Sequence, residues 1–150
     1  MTGTHNQGFD RLVKAADEFG KNFKEKFFIQ TGNSEMKPEN CEWKKFLTPS
    51  ELQKKISESS LVITHAGAGS IINSLKNGKK TVVVPREKKF KEHVNDHQIE
   101  LAEALDKEKK VLICRNLENL GKKINESKNL IIPKQENKEM IKKIESFLGE

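Results

Sequence analysis

A glycine-bearing turn at residues 65–70, His-Ala-Gly-Ala-Gly-Ser, carries the first residues of this chain that could do chemistry. No bulky side chain follows His65, and the helix-like stretch that comes next places Ile71, Ile72 and Leu75 on one face. Backbone N–H groups at a helix N-terminus have no partner within the helix and lie at the positive end of its dipole. Small residues let a phosphate reach these groups, so the turn predicts an anion site. A tight strand-to-helix turn without a ligand fits the same residues equally well.

The glycine spacing excludes one class of phosphate site and only weakly indicates another. Gly67 and Gly69 form G-x-G, but Ile72 stands where the dinucleotide-binding pattern G-x-G-x-x-G has its third glycine. No Lys-Ser or Lys-Thr pair follows Gly69, which excludes a P-loop. The turn alone therefore does not identify its ligand.

A second group of polar residues follows the apolar run that ends at Pro85. His93, Asp96 and His97 have i, i+3, i+4 spacing and are predicted to share a helix face. Zinc would need further ligands, and the chain has no H-E-x-x-H motif and no cysteine pair. A solvated helix start, with Asp96 near the positive dipole end, is the ordinary interpretation. A ligand-binding role is favoured because the segment lies where a parallel strand is predicted to end.

These polar groups flank a predicted βαβ unit. Residues 61–64 are too few for a helix and indicate a strand buried on both faces, residues 81–84 form the next strand, and Asn77-Gly78 ends the helix between them. Such a crossover is right-handed in nearly all proteins. Further strands are predicted at 26–32, 41–47 and 110–114. Further helices are predicted at 9–20, from a capping box at 48–51, at 99–105, 117–126 and 136–148, with a short extension at 131–133.

The first eight residues have turn composition and lead directly into a helix. This arrangement is typical of the second half of a strand-turn-helix unit. We therefore expect the sheet to be one strand short or open at an edge, through a truncated start or a partner that covers the edge.

Length and composition limit the class of protein. The 150 residues predict one domain, 1–150, with its own core, and 33% of them are charged with a net charge of +6.

Scarce arginine, absent tyrosine and the lack of an aromatic-basic stripe disfavour binding of nucleic acid. Solvated lysine faces, or attraction of the lysines to anionic lipid or nucleotide, fit the composition better. Cys41 and Cys114 are predicted to be reduced core thiols, which together with the lack of a signal peptide or membrane-spanning run favours a cytoplasmic protein.

Four stretches of the chain together resemble the C-terminal domain of glycosyltransferase family 28: GTHNQGFDRLVKAAD, IQTG, ITHAGAGSIINSLKNGKKTVVVPR and EHVNDHQIELAEAL. The motifs H-A-G-A-G-[ST] and H-x-x-D-H-Q carry the likeness, which covers almost the whole chain. It is strongest to single-domain members, namely the catalytic subunit of the eukaryotic two-subunit UDP-N-acetylglucosamine transferase and its bacterial exopolysaccharide and capsule counterparts. The resemblance implies a Rossmann-like parallel sheet with helices on both faces, the C-terminal half of the GT-B architecture, in which two such domains face each other across a cleft.

The resemblance also implies which residues contact a nucleotide-sugar. Two turns would approach the diphosphate, one of them through backbone N–H groups; their residues are Gly67, Ala68, Gly69 and Ser70, and Gly3, Thr4 and His5. Asp96, His97 and Gln98 match the edge that contacts hydroxyls of the donor sugar. These three residues are the candidate catalytic set. His65 matches a position at the opening of the cleft that suits orientation rather than proton transfer. Asn73 stands where many relatives have a glutamate that binds the ribose. The backbone of Arg86 and Glu87 would lie by the uracil or ribose.

In function, the resemblance implies an inverting UDP-glycosyltransferase that transfers a hexose or N-acetylhexosamine, GlcNAc among them, to a lipid-linked acceptor. No metal or other cofactor is expected, because backbone amides and a helix dipole would stabilise the leaving UDP. A membrane-anchored partner subunit with its own Rossmann-like fold would supply acceptor binding and the general base, and would hold the chain at the membrane. Two alternatives stand: a non-catalytic nucleotide-sugar-binding subunit that enhances a partner transferase, and an unrelated flavodoxin-like binding module, which leaves the polar edge unexplained.

Overall fold

Strands and helices alternate along the chain in a computed structural model that describes residues 1–131 and 137–148. The strands are β1 (Phe28–Gln30), β2 (Glu42–Lys44), β3 (Leu61–His65), β4 (Lys80–Val84) and β5 (Leu112–Ile113). The helices are α1 (Asp10–Lys21), α2 (Pro49–Glu58), α3 (Ala68–Lys76), α4 (His97–Lys107), α5 (Leu120–Ser127) and α6 (Asn137–Leu148). Short 3₁₀ turns at Lys88–Phe90 and Leu117–Asn119 precede α4 and α5. This alternation is that of an α/β protein.

The strands pair in parallel, as the predicted βαβ unit requires. β1 pairs with β2, and β3, β4 and β5 form a second ladder in which Ile63 lies opposite Val82. The predicted strands at 26–32, 41–47 and 110–114 exist but are shorter than predicted. The residues of β2 are exposed, so the burial that would favour a longer strand is missing there.

The first residues of the chain lie between the two ladders. The Met1 amino group donates to the Ile63 carbonyl at 2.7 Å, and the Met1 carbonyl accepts from the His65 N–H at 3.1 Å, which is the bonding pattern of a parallel pair. Beyond Met1, a groove of about 840 Å³ runs between β1 and β3. The sheet therefore lacks a full strand between β1 and β3, which agrees with the expectation of a sheet one strand short and places the gap in its middle.

Helices cover both faces of the sheet, and successive residues of β4 show this directly. Val83 is buried with Ile71 of α3 and Leu105 of α4, in a cluster that includes α6. Its neighbours Val82 and Val84 are buried on the opposite face, against α1 and α5. Because strand side chains alternate between faces, this division confirms the predicted Rossmann-like layering.

Helix ends follow local sequence closely in α2 and less closely in α4. The Thr48 hydroxyl accepts from the Glu51 N–H, and the Glu51 carboxylate accepts from the Thr48 N–H, which confirms the predicted capping box. α4 begins only at His97, with Asp96 as its N-cap residue. His93 therefore lies before the helix, and the prediction that it shares a helix face with Asp96 and His97 was wrong.

The C-terminal helix buries the predicted side. In α6, Met140 and Ile144 are buried and Phe147 packs partly against the same core. Residues 132 and 133 of the predicted extension at 131–133 lie outside the described residues, as does residue 136, the first of the predicted helix 136–148. Within the described ranges, no helix is both long and apolar enough to cross a membrane. Cys114 is buried and Cys41 half-buried, and neither forms a disulfide.

Candidate functional site

A cavity of about 280 Å³ opens at the carboxyl ends of β1 and β3. Six of the residues predicted to contact a nucleotide-sugar line it: Gly3, Thr4, His65, Gly67, Gly69 and Ser70. The carboxyl edge of a parallel sheet is where open α/β folds bind their ligands. The structure therefore brings together, in one cavity, two turns that are more than sixty residues apart in the sequence.

The start of α3 presents free backbone donors to this cavity. The first N–H to bond within the helix is that of Ile71, which donates to the Gly67 carbonyl at 3.1 Å. The N–H groups of Ala68, Gly69 and Ser70 precede it, and Gly67 has no side chain with which to cap them. Gly69 is exposed, and a Cβ built on it would meet no atom within 4 Å. An anion could therefore approach these amides closely.

The His65 ring lies between the two glycine turns. A Cβ on Gly3 would lie 2.5 Å from the ring atoms Cε1 and Nε2, and a Cβ on Gly67 would lie 2.2 Å from Nε2. Gly3 also has a φ of +81°, a left-handed conformation that other residues adopt with strain. Both glycines are therefore required by the close packing of one imidazole, which holds the turns at a fixed separation.

Burial keeps the His65 imidazole neutral. The residue is 7% exposed, and burial, followed by the nearby Arg86 guanidinium, lowers the pKa of His65 to about 3. Its Nδ1 lies 3.4 Å from the Thr64 hydroxyl. At neutral pH the uncharged ring can donate one hydrogen bond and accept another, but so low a pKa makes it a poor proton acceptor, which fits orientation rather than proton transfer.

We expect His65 to make the protein less stable as the pH falls from about 7 to about 4. The unfolded chain takes up a proton near the ordinary pKa of 6.5, whereas the folded chain does so only near 3, so acid favours unfolding across that window. The loss in the free energy of unfolding is up to about 1.4 kcal/mol per pH unit. Urea unfolding of His65→Asn should show a weaker pH dependence than the unmodified chain or the exposed control His97→Asn. Parallel pH profiles for all three proteins would contradict the assignment.

A buried glutamine binds the backbone of the turn that contains Gly3, Thr4 and His5, the first turn of the chain. The Gln30 side-chain oxygen accepts from the N–H groups of Thr2 and Gly3 at 3.0 and 3.2 Å. Its amide nitrogen donates to the carbonyls of Gly3 and Lys45, both at 3.0 Å. Because the Gly3 N–H is used in this way, a ligand in the cavity meets the backbone of the turn beyond Gly3. Sequence reasoning missed Gln30, since a glutamine ending a short strand has no distinctive local pattern.

The polar loop after β4 is tied to the same edge of the sheet. The Asp96 carboxylate accepts from the Lys88 N–H at 3.0 Å, and the Gln98 side-chain oxygen accepts from the Arg86 N–H at 3.1 Å. The rings of His5 and His93 stack with centroids 4.6 Å apart, so the loop contacts the first turn. Burial, and then His93, lower the pKa of His5.

Known sequences identify what this arrangement belongs to. The family model of the glycosyltransferase family 28 C-terminal domain matches residues 2–148. The chain belongs to glycosyltransferase family 28. The turn at 65–70 and the loop at 92–98, on which the likeness was first noted, both fall inside the matched range.

Curated relatives of this family 28 chain bear one name. UDP-N-acetylglucosamine transferase subunit ALG13 of Mus musculus is 46% identical over 63 residues, which is 42% of this chain and 5% of the mouse protein. The protein of that name from Yarrowia lipolytica is 37% identical over 71 residues, 47% of this chain and 34% of the relative. That from Debaryomyces hansenii is 48% identical over 52 residues, 35% of this chain and 23% of the relative. The aligned part of the chain thus spans about a third or less of each relative.

Three further predicted residues of the family 28 chain have partners of their own away from the cavity lining. Asn73 accepts from the Asn77 side chain through its carbonyl and side-chain oxygens. Glu87 is 3% exposed and forms ion pairs with Lys89 and Arg115 at 3.0 and 3.6 Å. Arg86 is buried. Their contact with a nucleotide-sugar stays a prediction, as do the contacts of Ala68, which is buried in the helix start, and of His97, whose exposed ring lies 3.3 Å from Glu100.

The opposite wall of the cavity comes from residues that sequence reasoning did not assign to the site. Phe46 and Leu47 follow β2, and Leu52 lies on α2. Phe46 is 40% exposed, so its ring offers the cavity an accessible apolar surface against which a flat group could stack. Over residues 1–131 and 137–148, no three His, Cys, Asp or Glu side chains are grouped so that they could hold a metal ion.

Proposed function

We propose that this chain is the UDP-sugar-binding, catalytic subunit of a two-component inverting glycosyltransferase. The observation that carries the proposal is the pair of glycine turns packed on His65, with the free amides of α3 facing a cavity. Membership of the glycosyltransferase family supports a transferase. The printed name of the relatives, a UDP-N-acetylglucosamine transferase subunit, supports UDP-GlcNAc as the first donor to test.

In the proposed complex, the diphosphate binds at the start of α3, where the amides of Ala68, Gly69 and Ser70 and the helix dipole favour negative charge. The uracil base binds on the apolar wall formed by Phe46 and Leu47. The donor sugar then extends towards Asp96, His97 and Gln98. One side-chain oxygen of Asp96 and that of Gln98 already accept from backbone N–H groups of the loop. The side-chain N–H groups of Gln98 therefore serve as donors to the sugar hydroxyls.

The reaction in this proposal is a single displacement. An acceptor hydroxyl attacks the anomeric carbon, the bond from that carbon to the diphosphate oxygen breaks, and configuration inverts. Negative charge grows on the leaving diphosphate, where the α3 amides are already oriented towards it. A general base takes the hydroxyl proton. Burial lowers the pKa of His65 to about 3, which makes it too weak a base for this task, so we assign the base to the partner.

The proposal extends to location and acceptor. The acceptor is a lipid-linked sugar, and a membrane-anchored subunit with a Rossmann-like fold holds it across the cleft from this chain. The chain itself works on the cytoplasmic side, peripheral to the membrane through that partner. The surplus of positive charge, +6, suits an anionic membrane surface.

Calorimetric titration with UDP, UDP-GlcNAc, UDP-Gal and UDP-Glc tests the donor assignment. We expect Gln98→Ala to weaken binding of the preferred UDP-sugar about two- to tenfold more than binding of UDP, the effect of one lost hydrogen bond to a neutral hydroxyl. Gln53→Ala is the matched control, since Gln53 is an exposed glutamine on α2 bonded to Asn77.

Three results would count against parts of the proposal. Equal losses for UDP and the UDP-sugar would remove Gln98 from the sugar. Failure of the unmodified chain to bind any uridine nucleotide would overturn the donor assignment. If binding is normal but an assembled complex retains its turnover when Gln98 or His97 is altered, the chain is a non-catalytic enhancer of its partner.

A further inference from the structure

Arg86 is a buried guanidinium whose hydrogen bonds all go to backbone carbonyls. It is 1% exposed. Nη1 donates to the carbonyls of Gln7, Gly8 and Glu92 at 2.9, 3.1 and 3.0 Å, and Nη2 donates to the Thr2 carbonyl at 2.7 Å. A buried cation is costly unless its donors are satisfied. Here both terminal nitrogens donate to carbonyls, while Nε is buried without a partner among the described residues, so the four bonds indicate a specific use for the terminal fork of the guanidinium.

The four carbonyls come from two separate loops. Thr2 and Gln7-Gly8 stand at the two ends of the first turn, and Glu92 belongs to the loop after β4. Residues 3–6 lie between the two attachment points, and Gly3 and Thr4 within them line the cavity. One side chain therefore fixes both ends of the turn and ties it to the second loop of the site.

Neighbouring contacts hold the Arg86 side chain in this position. Its guanidinium carbon lies 4.9 Å from the centre of the Phe9 ring, a cation–π distance. The Glu92 carboxylate is bound by Arg11 at 2.9 and 3.0 Å and by the Glu87 N–H at 3.0 Å. That carboxylate is thus engaged with other donors, while its residue's carbonyl accepts from Arg86. After burial, which is the largest cause, the positive charge of Arg86 contributes to the lowered pKa values of His5 and His65.

We propose that Arg86 is a positioning residue for the diphosphate. It fixes residues 3–6 against the glycine turn at the start of α3, so that both turns contact the same ligand. This role rests on the proposed function. It differs from a substrate contact, because Arg86 touches the loops and not the cavity. It also differs from general core packing, because an apolar side chain of similar volume would fill the space without holding the carbonyls.

The test uses Arg86→Gln and Arg86→Lys, with Arg115→Gln as the matched control. Arg115 is a half-exposed arginine that pairs with Glu87 and Glu103 and does not contact the first turn. We expect both Arg86 variants to unfold cooperatively, to bind UDP about tenfold or more weakly, and to lose the same factor for UDP and UDP-sugar. Arg86→Lys keeps the charge with fewer donors, so it should recover part of the loss. Hydrogen exchange should accelerate at the amides of Thr2, Gly3 and Gln7, which are hydrogen-bonded in the first turn, while β3 and α3 stay protected.

Three outcomes would overturn this role. Binding of UDP within twofold of the unmodified chain by both Arg86 variants would show that the turn does not need Arg86. Unchanged exchange at the amides of Thr2, Gly3 and Gln7 would also show that the turn does not need Arg86. This measurement uses no ligand, so it remains informative even if the unmodified chain binds no uridine nucleotide. Loss of cooperative unfolding in both variants would show that Arg86 holds the whole fold.

Discussion

Gly69→Val is expected to abolish measurable UDP binding, by about a hundredfold or more, while the protein stays folded. Gly69 lines the cavity and lies in the first turn of α3, where its N–H has no helical partner. A valine side chain there would occupy the space through which a phosphate reaches the amides. The position itself is open, since a Cβ would meet no atom within 4 Å. Calorimetry and thermal unfolding of the same sample measure the two effects.

Gly69→Ala separates ligand binding from stability by the sign of the change. Alanine is favoured over glycine within a helix by about 0.5–1 kcal/mol, so this variant should be more stable than the unmodified chain. Its added methyl group should nevertheless weaken UDP binding. An alanine variant that is more stable and binds UDP equally well, together with a valine variant that binds normally, would remove the phosphate from the α3 turn.

Gly67 makes a poorer test than Gly69, although both belong to the same motif. A Cβ at Gly67 would lie 2.2 Å from the His65 ring, so any substitution displaces the imidazole that separates the two turns. Loss of UDP binding by Gly67→Val would therefore combine a blocked approach with a distorted turn. The sequence pattern treats the two glycines as equivalent, and the structure distinguishes them.

The isolated chain is expected to bind UDP-sugar but to transfer no sugar to a lipid-linked acceptor until its partner is added. The cavity of about 280 Å³ lies at the edge of one Rossmann-like sheet, and in the proposed two-component enzyme the partner supplies the acceptor site. Rate enhancement depends on holding both reactants in register, which one half of a cleft does not do. Without a base beside the anomeric carbon, the displacement also lacks its proton acceptor.

The assay compares purified chain with and without membranes that contain the partner, using labelled UDP-GlcNAc and a lipid-linked acceptor. Membranes from cells that lack the partner provide the control for endogenous transferases, and the Gly69→Val chain provides the control for donor binding. Robust transfer by the isolated chain would contradict the two-component proposal and leave a self-sufficient enzyme. Transfer that needs the partner but tolerates Gly69→Val would place the donor in the other subunit.

Most of the fold could be predicted because its signals are local. The apolar run of β3, the small residues after it and the asparagine-glycine stop of α3 lie within one short stretch, and the structure confirms that βαβ unit. The capping box at Thr48 and Glu51 is likewise a pattern of adjacent residues. Prediction was poorer for β2 and for the start of α4, where exposed residues and a solvated loop provide little hydrophobic periodicity.

The sequence by itself thus determined the α/β class, the family and the turn that offers backbone donors. Tertiary structure alone decided how the site is completed, because its other walls come from segments that are distant in sequence from both glycine turns: Gln30, Phe46 and Leu47. It also decided the state of two charged or titratable groups, the neutral His65 and the buried Arg86. Charged residues are ordinarily exposed, and no local sequence pattern indicates which of them will be buried. Burial and carbonyl partners depend on which loops meet in space, and only the folded chain sets those contacts.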